Sequence, residues 1–349
     1  MTTPAEHGYA MPAEWQPHER TWMAWPTEGY TLGDDPDEAY QAWSRVANTI
    51  ARYEPLTMVV DPAPTATAAA RRWLDPAVTV VERPLDDAWM RDIGPTFLTR
   101  PASGAKQAGL AAADWIFNGW GAQSWASWGK DAEIAETVAE LAGARRFASP
   151  MVNEGGGIHV DGAGTVLITE TVQLDPGRNP GWTREQVEAQ LRGFLGAWKV
   201  IWLPRGLTRD YGEFGTRGHV DIVAAFVKPG VVVVHTQPDP AHPDHEVCKE
   251  NVAILRAATD AQGRRLEVVE LPAPTVLEED GEPVDYSYVN HYLANGLALM
   301  CGFDDPRDEQ AAEIFAKLLP DRKIEFVDAR PIFARGGGIH CITQQQPRV

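Results

Sequence analysis

"NEGGGIHVDG" (153–162) and "RGGGIHCITQ" (335–344) carry the same pentapeptide, GGGIH, at two distant places in the chain. Three glycines in a row allow positive φ values and a close approach of the backbone to a ligand. A dinucleotide fingerprint would open a helix, and a phosphate loop would continue with Gly-Lys; neither copy does so. The recurrence instead indicates a structural unit that is used more than once.

The spacing of polar residues around the two copies supports a repeat. Asp92 and Glu154 are 62 residues apart, Glu154 and His219 are 65 apart, and Cys341 follows after 122, about twice the same interval. We expect a unit of roughly 60 to 70 residues, used about five times, whose equivalent strand ends converge on one axis. The unit near residue 285 is expected to contribute a loop without an obvious catalytic group.

Apolar runs alternate with amphipathic stretches along the chain. The runs that predict strands lie at 56–60, 165–169, 199–203, 231–235 and 297–301, and those that predict helices at 39–53, 130–143, 183–196 and 306–319. In the third helix Thr183 is the expected N-cap, with Gln186 three residues on. Its apolar face comprises Val187, Leu191, Phe194 and Leu195. Alternation of this kind predicts an α/β protein.

Charge and cysteine content narrow the function classes. The 349 residues carry a formal net charge of -18, which disfavours nucleic acid and anionic membranes as partners. The chain has no run of about 18 apolar residues and no basic, apolar leader, so we expect no membrane partner. Three cysteines form neither a disulfide framework nor a CxxC pair, and a reducing cytoplasm is the simplest setting.

One cysteine stands out as a candidate nucleophile. Cys341 follows three glycines and has polar neighbours, whereas Cys248 and Cys301 lie in helical and apolar stretches and are expected to be buried hydrophobes. In "RGHVDIVAAF" (217–226), His219 and Asp221 are two residues apart, so on a strand they would face the same side. A thiolate, a histidine and a carboxylate together suggest nucleophilic catalysis.

Additional carboxylates point to a cationic substrate. Asp92 follows Trp89 in "DDAWMRDIGPTF" (86–97), and an aromatic face beside a carboxylate suits a flat cation. A cysteine protease would not need several such acids. The guanidinium group fits, because its paired N–H donors match a carboxylate. A metal bound by His219 and Asp221 would need a third ligand, such as Glu154 or His159, and we expect no metal.

Seven stretches then resemble one family, the bacterial and plant agmatine deiminases. They are "MPAEWQPHERTWMAWP" (11–26), "DAWMRDIGP" (87–95), "NEGGGIHVDGAGTVLITE" (153–170), "GRNPGWTREQVE" (177–188), "RGHVDIVAAFVKPGVV" (217–232), "YVNHYLANG" (288–296) and "GGGIHCITQQQP" (336–347). The wider set of guanidine-modifying enzymes includes arginine deiminase, bacterial peptidylarginine deiminase and amidinotransferases. The resemblance implies the pentein fold, a five-bladed α/β propeller of pseudo-fivefold ββαβ units, with residues 1–349 as one catalytic domain.

The resemblance also implies the chemistry. Cys341 would attack the guanidinium carbon and form a thiouronium intermediate, and His219, hydrogen-bonded by Glu154, would protonate the leaving ammonia and then activate water. The substrate-binding residues would be Trp89, Asp92, Asp221 and Gly338. Agmatine would give N-carbamoylputrescine and ammonia, a step towards putrescine, without a cofactor or metal. A homodimer is a further expectation from the family.

The chain departs from the family pattern at several points. Ile93 replaces the usual threonine, Gly157 replaces serine, the segment 27–43 replaces one containing "DNWR", and His291 replaces phenylalanine. Some of these positions could lie where the substrate's tail is recognised.

Other substrates and roles therefore stay open. A deiminase of free or peptidyl arginine would need a cation for the carboxylate, for which Arg91, Arg205, Arg209 and Arg217 are available. An amidinotransferase would use an amine in place of water. An inactive protein that binds cationic ligands would keep the carboxylates and leave Cys341 unreactive.

Overall fold

The computed structural model describes residues 2–103, 107–279 and 281–349. The strands are β1 (His18–Ala24), β2 (Leu56–Val60), β3 (Thr79–Glu82), β4 (Thr96–Arg100), β5 (Gly109–Ile116), β6 (Arg145–Val152), β7 (His159–Val160), β8 (Thr165–Thr169), β9 (Lys199–Leu203), β10 (Ala224–Lys228), β11 (Val231–Thr236), β12 (Glu267–Pro272), β13 (Glu278–Glu279), β14 (Glu282–Pro283), β15 (Tyr292–Ala294), β16 (Leu297–Gly302), β17 (Lys323–Asp328) and β18 (Thr343–Pro347).

The helices are longer on average than the strands, and those of eight or more residues connect parallel strands. They are α1 (Pro36–Ile50), α2 (Pro64–Trp73), α3 (Met90–Ile93), α4 (Gly119–Ala122), α5 (Ile134–Leu141), α6 (Glu170–Gln173), α7 (Arg184–Leu195), α8 (Asp244–Ala257), α9 (Arg307–Leu318) and α10 (Arg330–Phe333). Short 3-10 turns lie at Ala5–His7, Asp131–Glu133, Gly155–Gly157, Thr208–Tyr211 and Val220–Ile222.

One sheet pattern recurs five times within the described part of the chain. Two antiparallel strands are followed by a helical crossover to a third strand, which runs parallel to the second. The sheets are β4-β5-β6 with α5, β7-β8-β9 with α7, β10-β11-β12 with α8, β15-β16-β17 with α9, and β18-β1-β2-β3 with α1 and α2. The fold is therefore mixed α/β, as the alternation of the sequence predicted.

The last of these sheets joins the two ends of the chain. β18 pairs antiparallel with β1, with Met23 opposite Thr343 and Thr21 opposite Gln345. The indole Nε1 of Trp22 also donates a hydrogen bond of 2.9 Å to Gln346 Oε1. Since β1 then runs parallel to β2, this sheet repeats the pattern with its first strand taken from the C-terminal region.

Most predicted elements are confirmed. The strands at 56–60, 165–169 and 199–203 have the bounds that were predicted, and those at 231–235 and 297–301 extend by one residue. The helix predicted over 39–53 begins earlier, at Pro36, because the Asp35 side chain accepts hydrogen bonds from the amides of Asp37 and Glu38. The stretch 130–143 divides into a 3-10 turn and α5.

The capping box predicted for α7 is present. Thr183 Oγ1 accepts from the Gln186 amide, and Gln186 Oε1 accepts from the Thr183 amide at 2.8 Å. The predicted apolar face is buried, and the helix ends at Gly196, whose φ of 68° suits a residue without Cβ.

The sheets enclose an apolar core. Residues of β16 are buried along the whole strand, as are Val231–Val234 of β11, and each such side chain contributes about 1.5–3 kcal/mol. Cys248 and Cys301 are buried as predicted, and burial raises the pKa of each thiol to about 12. Among the described residues, no helix has the length and apolar character needed to cross a membrane.

Candidate active site

Each of the five sheets supplies a residue to one buried cluster. In every case the residue lies in the segment just before the first strand of the antiparallel pair. These residues are Asp92 before β4, Glu154 before β7, His219 and Asp221 before β10, Asn290 before β15, and Cys341 before β18. The interval between the sequence candidates therefore reflects the repeating order of the elements.

As expected, the described residues of the unit near residue 285 give the cluster no ionisable or nucleophilic group, but their loop does reach the site. Asn290, which precedes β15, is fully buried and its Nδ2 donates to Cys341 Sγ at 3.3 Å. Its backbone carbonyl also accepts from Cys301 Sγ at 3.0 Å, which fixes the orientation of the loop. The fourth unit thus contributes a neutral amide that contacts the candidate nucleophile.

His219 and Asp221 do not lie on a strand, contrary to the prediction. A 3-10 turn spans Val220–Ile222, and β10 begins only at Ala224. The carboxylate of Asp210 binds the backbone ahead of this turn: its Oδ2 accepts hydrogen bonds from the amides of Gly218 at 2.6 Å and His219 at 3.2 Å. This contact turns the chain before the strand can start, yet both side chains still reach the cluster.

Cys341 is held between an amide and a carboxylate. Its Sγ lies 3.3 Å from Asn290 Nδ2 and 3.6 Å from Asp221 Oδ2, and the residue is 5% exposed. Burial, followed by the negative charges of Asp221 and Asp92, raises the pKa of the thiol well above its usual range. These charges and the burial therefore favour the thiol form of Cys341 over the thiolate.

His219 is part of a buried charged triad with Glu154 and Arg178. His219 Nε2 donates to Glu154 Oε2 at 3.2 Å, and Arg178 Nε donates to both oxygens of Glu154 at 3.0 Å. Burial opposes ionisation, but Arg178 and His219 together outweigh it and lower the pKa of Glu154 to about 2. Asp92 and Glu154 likewise outweigh burial and raise the pKa of His219 to about 9.

The second nitrogen of His219 is directed into the cluster. Nδ1 is buried and has no hydrogen-bond partner among the described residues, although Asp92 Oδ2 lies 3.9 Å away. An imidazolium at neutral pH therefore offers one N–H that is not yet used. That proton is available to a group bound beside Asp92.

Asp92 is oriented by two donors from the protein. Its Oδ1 accepts from the Gly156 amide and its Oδ2 from Trp120 Nε1, both at 2.9 Å. Burial raises the pKa of Asp92, with the charges of Glu154 and Asp221 adding to the effect. A bound cation would relieve this repulsion, because each oxygen keeps a free lone pair.

Asp221 has one oxygen in use and one without a partner. Oδ2 accepts from His340 Nδ1 at 2.8 Å, whereas Oδ1 is buried and has no hydrogen-bond partner within the described ranges. Burial opposes ionisation, but His340, with smaller contributions from His219 and Arg91, outweighs it and lowers the pKa of Asp221. A buried carboxylate oxygen without a donor costs about 1–3 kcal/mol or more, which a ligand N–H would recover.

The glycine motifs make room for these groups. A Cβ on Gly156 would lie 2.5 Å from His219 Nδ1, and a Cβ on Gly337 would lie 2.7 Å from Trp89 Cζ3 and 3.0 Å from Cys341 Sγ. Gly338, predicted to bind substrate, packs against Asn290, whose Oδ1 a Cβ would overlap. Both motifs therefore permit close packing of reactive side chains.

The two copies of the pentapeptide meet but differ in conformation. The rings of His159 and His340 lie 5.9 Å apart. Gly155–Gly157 forms a 3-10 turn and His159 opens β7, whereas Gly336 has φ +105° and His340 lies in a turn ahead of β18. The expectation that the copies occupy equivalent strand-and-loop positions therefore holds only in part.

One group of side chains is close enough for a metal ion. Among the described residues, Glu14, His159 and His340 each place a ligand atom within 4.8 Å of the others. The surroundings do not suit a cation, because Arg91 Nη2 lies 3.6 Å from Glu14 Oε2. Both ring nitrogens of His340 already donate to carboxylates, so no lone pair is left for a metal.

Aromatic residues extend from the cluster towards the surface. Trp89 is 3% exposed, and its Nε1 donates to Tyr30 Oη at 2.7 Å. Tyr30, which lies in the segment 27–43 that departs from the family pattern, stacks on Phe214 at 4.7 Å and packs against Trp125. The departing segment therefore reaches the wall of the site.

A pocket of about 250 Å³ adjoins the loop of the candidate nucleophile. Gly336 and Phe214 line it, together with Arg209, Glu213 and Asp285. Burial raises the pKa of Asp285 to about 7, while Arg209 opposes the rise. The pocket therefore offers charged groups of both signs to the tail of a ligand.

Several residues of the site were not identified from the sequence. Glu14, Trp120, Arg178, Asn290 and His340 each bond to a predicted residue or to a neighbour of one. Glu14, Arg178 and Asn290 lie within "MPAEW", "GRNPG" and "YVNHY", which carried the resemblance. Their roles depend on contacts across the fold, which local spacing does not reveal.

The chain is similar to known proteins along nearly its whole length. The family model of the Porphyromonas-type peptidyl-arginine deiminases matches residues 10–347. A Streptomyces avermitilis protein, provisionally named agmatine deiminase, is 64% identical and covers 100% of both chains. The agmatine deiminase of Stutzerimonas stutzeri is 40% identical and covers 99% of this chain and 97% of its own. The structure of the Enterococcus faecalis agmatine deiminase superposes with a TM-score of 0.93 at 33% identity, covering 100% of this chain and 98% of that one. The chain belongs to the Porphyromonas-type peptidyl-arginine deiminase family.

Proposed function

We propose that this chain is an agmatine deiminase, which converts agmatine and water to N-carbamoylputrescine and ammonia. The names of the relatives from Stutzerimonas stutzeri and Enterococcus faecalis support this assignment. The proposed catalytic domain spans residues 1–349, with its five sheets arranged as the blades of an α/β propeller of the pentein type. The recurring sheet pattern, with one site residue ahead of each, supports that arrangement.

The guanidinium group of the substrate would lie between Asp92 and Asp221. The observation that carries the proposal is the buried Oδ1 of Asp221, which lacks a donor among the described residues while Oδ2 of the same group lies 3.6 Å from Cys341 Sγ. A guanidinium N–H bound to Oδ1 would bring its carbon close to the sulfur. The planar face of Trp89 would complete the pocket.

The cation itself would activate the nucleophile. The charges of Asp221 and Asp92 raise the pKa of Cys341 in the free protein, and a bound guanidinium would offset both. The thiol would then lose its proton to solvent, and the thiolate would attack the guanidinium carbon. The new C–S bond joins an anion to a cation and so gives a neutral tetrahedral intermediate, whose N–H groups Asp92 and Asp221 hold. Positive charge returns when the departing amino group is protonated, and the two carboxylates stabilise it at that step.

His219 would handle the protons of both half-reactions. Its Nδ1–H would protonate the departing amino group, so the C–N bond breaks, ammonia leaves and an S-alkylthiouronium stays on Cys341. The neutral imidazole would then take a proton from water as the oxygen attacks the same carbon. Cleavage of the C–S bond, with the remaining O–H proton passing to the departing sulfur, releases the ureido product and regenerates the Cys341 thiol; His219 keeps the proton that it took from water. Glu154 and Arg178 would keep the ring oriented throughout.

The pocket beside Gly336 would hold the butyl-ammonium tail. Glu213 and Asp285 line it and favour an ammonium group, whereas Arg209 would favour the carboxylate of arginine. The acids outnumber the base and so support agmatine, although Asp285, with a pKa of about 7, adds its full negative charge only above neutral pH. Arg91 is less available to a carboxylate, because it is buried and bonded to Gln344 and Gln345.

Ammonia release from three substrates tests the assignment. Agmatine, free arginine and a capped arginine peptide should be compared at equal concentration, and agmatine is expected to react fastest. Release of ammonia from arginine alone would show that the chain is an arginine deiminase, with the same reaction on a different substrate. Transfer of the amidino group to an added amine acceptor, with release of the diamine of agmatine in place of ammonia, would indicate an amidinotransferase. No reaction under any condition would indicate a protein that only binds cations.

The setting of the enzyme is also a proposal. The net charge of -18 supports a protein of the cytoplasm that binds a small cation and has neither nucleic acid nor membrane as partner. A homodimer is expected from the family resemblance. Sedimentation at micromolar concentration would decide between one and two chains.

A further inference from the structure

Asp221 is the end of a line of charged side chains that leads away from the nucleophile. Its Oδ2 accepts from His340 Nδ1 at 2.8 Å, and His340 Nε2 donates to Glu14 Oε2 at 2.9 Å. Arg91 Nη2 lies 3.6 Å beyond, beside the same oxygen of Glu14. These four residues are at most 5% exposed.

The signs of the charges alternate along this line. His340 stands between two carboxylates, and Glu14 stands between His340 and Arg91. Burial and Arg91 disfavour an imidazolium, but Glu14 and Asp221 outweigh them and raise the pKa of His340. Burial raises the pKa of Glu14, but His340 and Arg91 together outweigh it and lower that pKa well below its usual range. Each charge is therefore compensated by its neighbour.

Other titratable groups also face His340. From all elements packed around it, the charged or titratable neighbours are Glu14, Arg91, His159, Asp221 and His291, with Cys341 next in the chain. Burial lowers the pKa of His159 to about 3 and of His291 to about 4. Both are neutral at physiological pH, so His340 is the group among these three histidines that is expected to carry a charge.

Packing alone does not account for this arrangement. A histidine that only fills space needs one partner, whereas His340 donates from both nitrogens to carboxylates that cannot donate back. Glu14 is anchored separately, because its Oε1 accepts from the Leu293 amide at 2.8 Å. The position of the carboxylate therefore fixes the ring, and the ring fixes Asp221.

We propose that Glu14 and His340 are positioning residues that keep Asp221 ionised and hold its Oδ1 towards the guanidinium of the substrate. The inference rests on the proposed function for the identity of that substrate. Neither residue touches the reacting atoms; both act through Asp221. The substitution that tests it is Glu14→Gln, which preserves shape and removes one charge.

The first measurement is the pH profile of agmatine turnover. In Glu14→Gln the imidazolium loses a partner and becomes neutral at lower pH, so Asp221 is protonated more easily. We expect kcat/KM to fall by about 10- to 100-fold, in line with the loss of a charge-assisted contact. The acid limb of kcat/KM should move up by about one pH unit or more.

The matched control is Glu54→Gln. Glu54 Oε1 accepts from His18 Nδ1 at 3.0 Å in a second buried pair, and His18 Nε2 donates to the backbone carbonyl of Glu14. This variant weakens the contact that holds the backbone at Glu14, but it leaves the charge of the Glu14 side chain beside His340 unchanged. It should lower Tm to a similar extent and leave the acid limb in place.

A second measurement needs no substrate. In protein labelled with ¹⁵N-histidine, the signal that disappears in His340→Gln should show two protonated nitrogens at pH 7.5. It should move towards a neutral ring in both Glu14→Gln and Asp221→Asn. A neutral ring in the unsubstituted protein, or an unmoved acid limb in Glu14→Gln, would overturn the inference. If agmatine is not turned over at all, the proposed function fails. The ¹⁵N signals alone then test whether Glu14 and Asp221 keep His340 protonated.

Discussion

Replacing Asp92 by asparagine gives the sharpest test of the site. In the protein both oxygens of Asp92 accept hydrogen bonds at 2.9 Å, from the Gly156 amide and from Trp120 Nε1. Asparagine has one carbonyl oxygen, so its NH₂ group must face one of these two donors. The variant is nearly isosteric, yet it loses the charge and one of the two bonds that orient the group.

The magnitude follows from those contacts. A hydrogen bond to a charged group contributes about 1.5–3 kcal/mol, and the guanidinium would lose at least one such bond. Since about 1.4 kcal/mol corresponds to tenfold in rate, this loss alone gives about 10- to 150-fold. The misdirected amide adds to it, so we expect Asp92→Asn to lower kcat/KM for agmatine by at least about 100-fold.

The assay is the steady-state release of ammonia from agmatine. Asp221→Asn should show a loss of similar size, because its free oxygen also faces the proposed substrate. The matched control is Asp305→Asn, a buried aspartate that accepts from Thr275 and the Arg307 amide and contacts none of the site residues within the described chain. A loss below tenfold in both Asp92→Asn and Asp221→Asn, with the fold intact by circular dichroism, would refute the assigned role.

Three further outcomes follow from the site and one from the fold. Cys341→Ser should lower turnover by about 10⁴-fold or more, and an adduct on Cys341 should appear by mass spectrometry in the unsubstituted protein; unchanged turnover would remove the nucleophile from the mechanism. His219 has its pKa raised to about 9, so its acid form is lost as pH rises through that value, and kcat/KM should fall above about pH 9; a profile flat to pH 10.5 would contradict this. Gly156→Ala places a Cβ 2.5 Å from His219 Nδ1, whereas Gly129→Ala meets nothing within 4 Å; only the first should lower kcat/KM, by about 100-fold. Thr183→Ala should lower the free energy of unfolding by about 1 kcal/mol through loss of the capping box, as urea melts can show, without altering KM.

The sequence predicted correctly the strands and helix ends that depend on residues close together in the chain. The strand at 199–203 is a β-branched and aromatic run between turns, and the cap at Thr183 needs only Gln186 three residues on. The alternation argument failed for His219 and Asp221, because the Asp210 carboxylate captures the preceding amides and imposes a 3-10 turn. That contact has no periodic signature in the sequence.

Sequence analysis identified the site residues that carry charged or nucleophilic side chains, and it missed those whose role depends on a contact across the fold. The carboxylates, His219 and Cys341 carry reactive groups in polar surroundings, and they converge in the structure. Asn290 is a neutral residue in an aromatic loop, so only its contact of 3.3 Å with Cys341 reveals it. Glu14 lies more than 300 residues from His340, and their hydrogen bond exists only once the sheet of β1 and β18 is formed.

The pairing of β1 with β18 also sets the order in which the enzyme can assemble. The two strands are separated by about 320 residues of chain, and closing a loop of that length costs about 5 kcal/mol of entropy. Contacts of such long range form late in folding. Cys341 lies two residues before β18, so its contacts with Asn290 and Asp221 are completed only when the remaining sheets can receive it. We therefore expect the reactive sulfur to enter its acidic pocket late in folding, after β1 and β18 have paired, and to gain its shielding and its preference for cations only then.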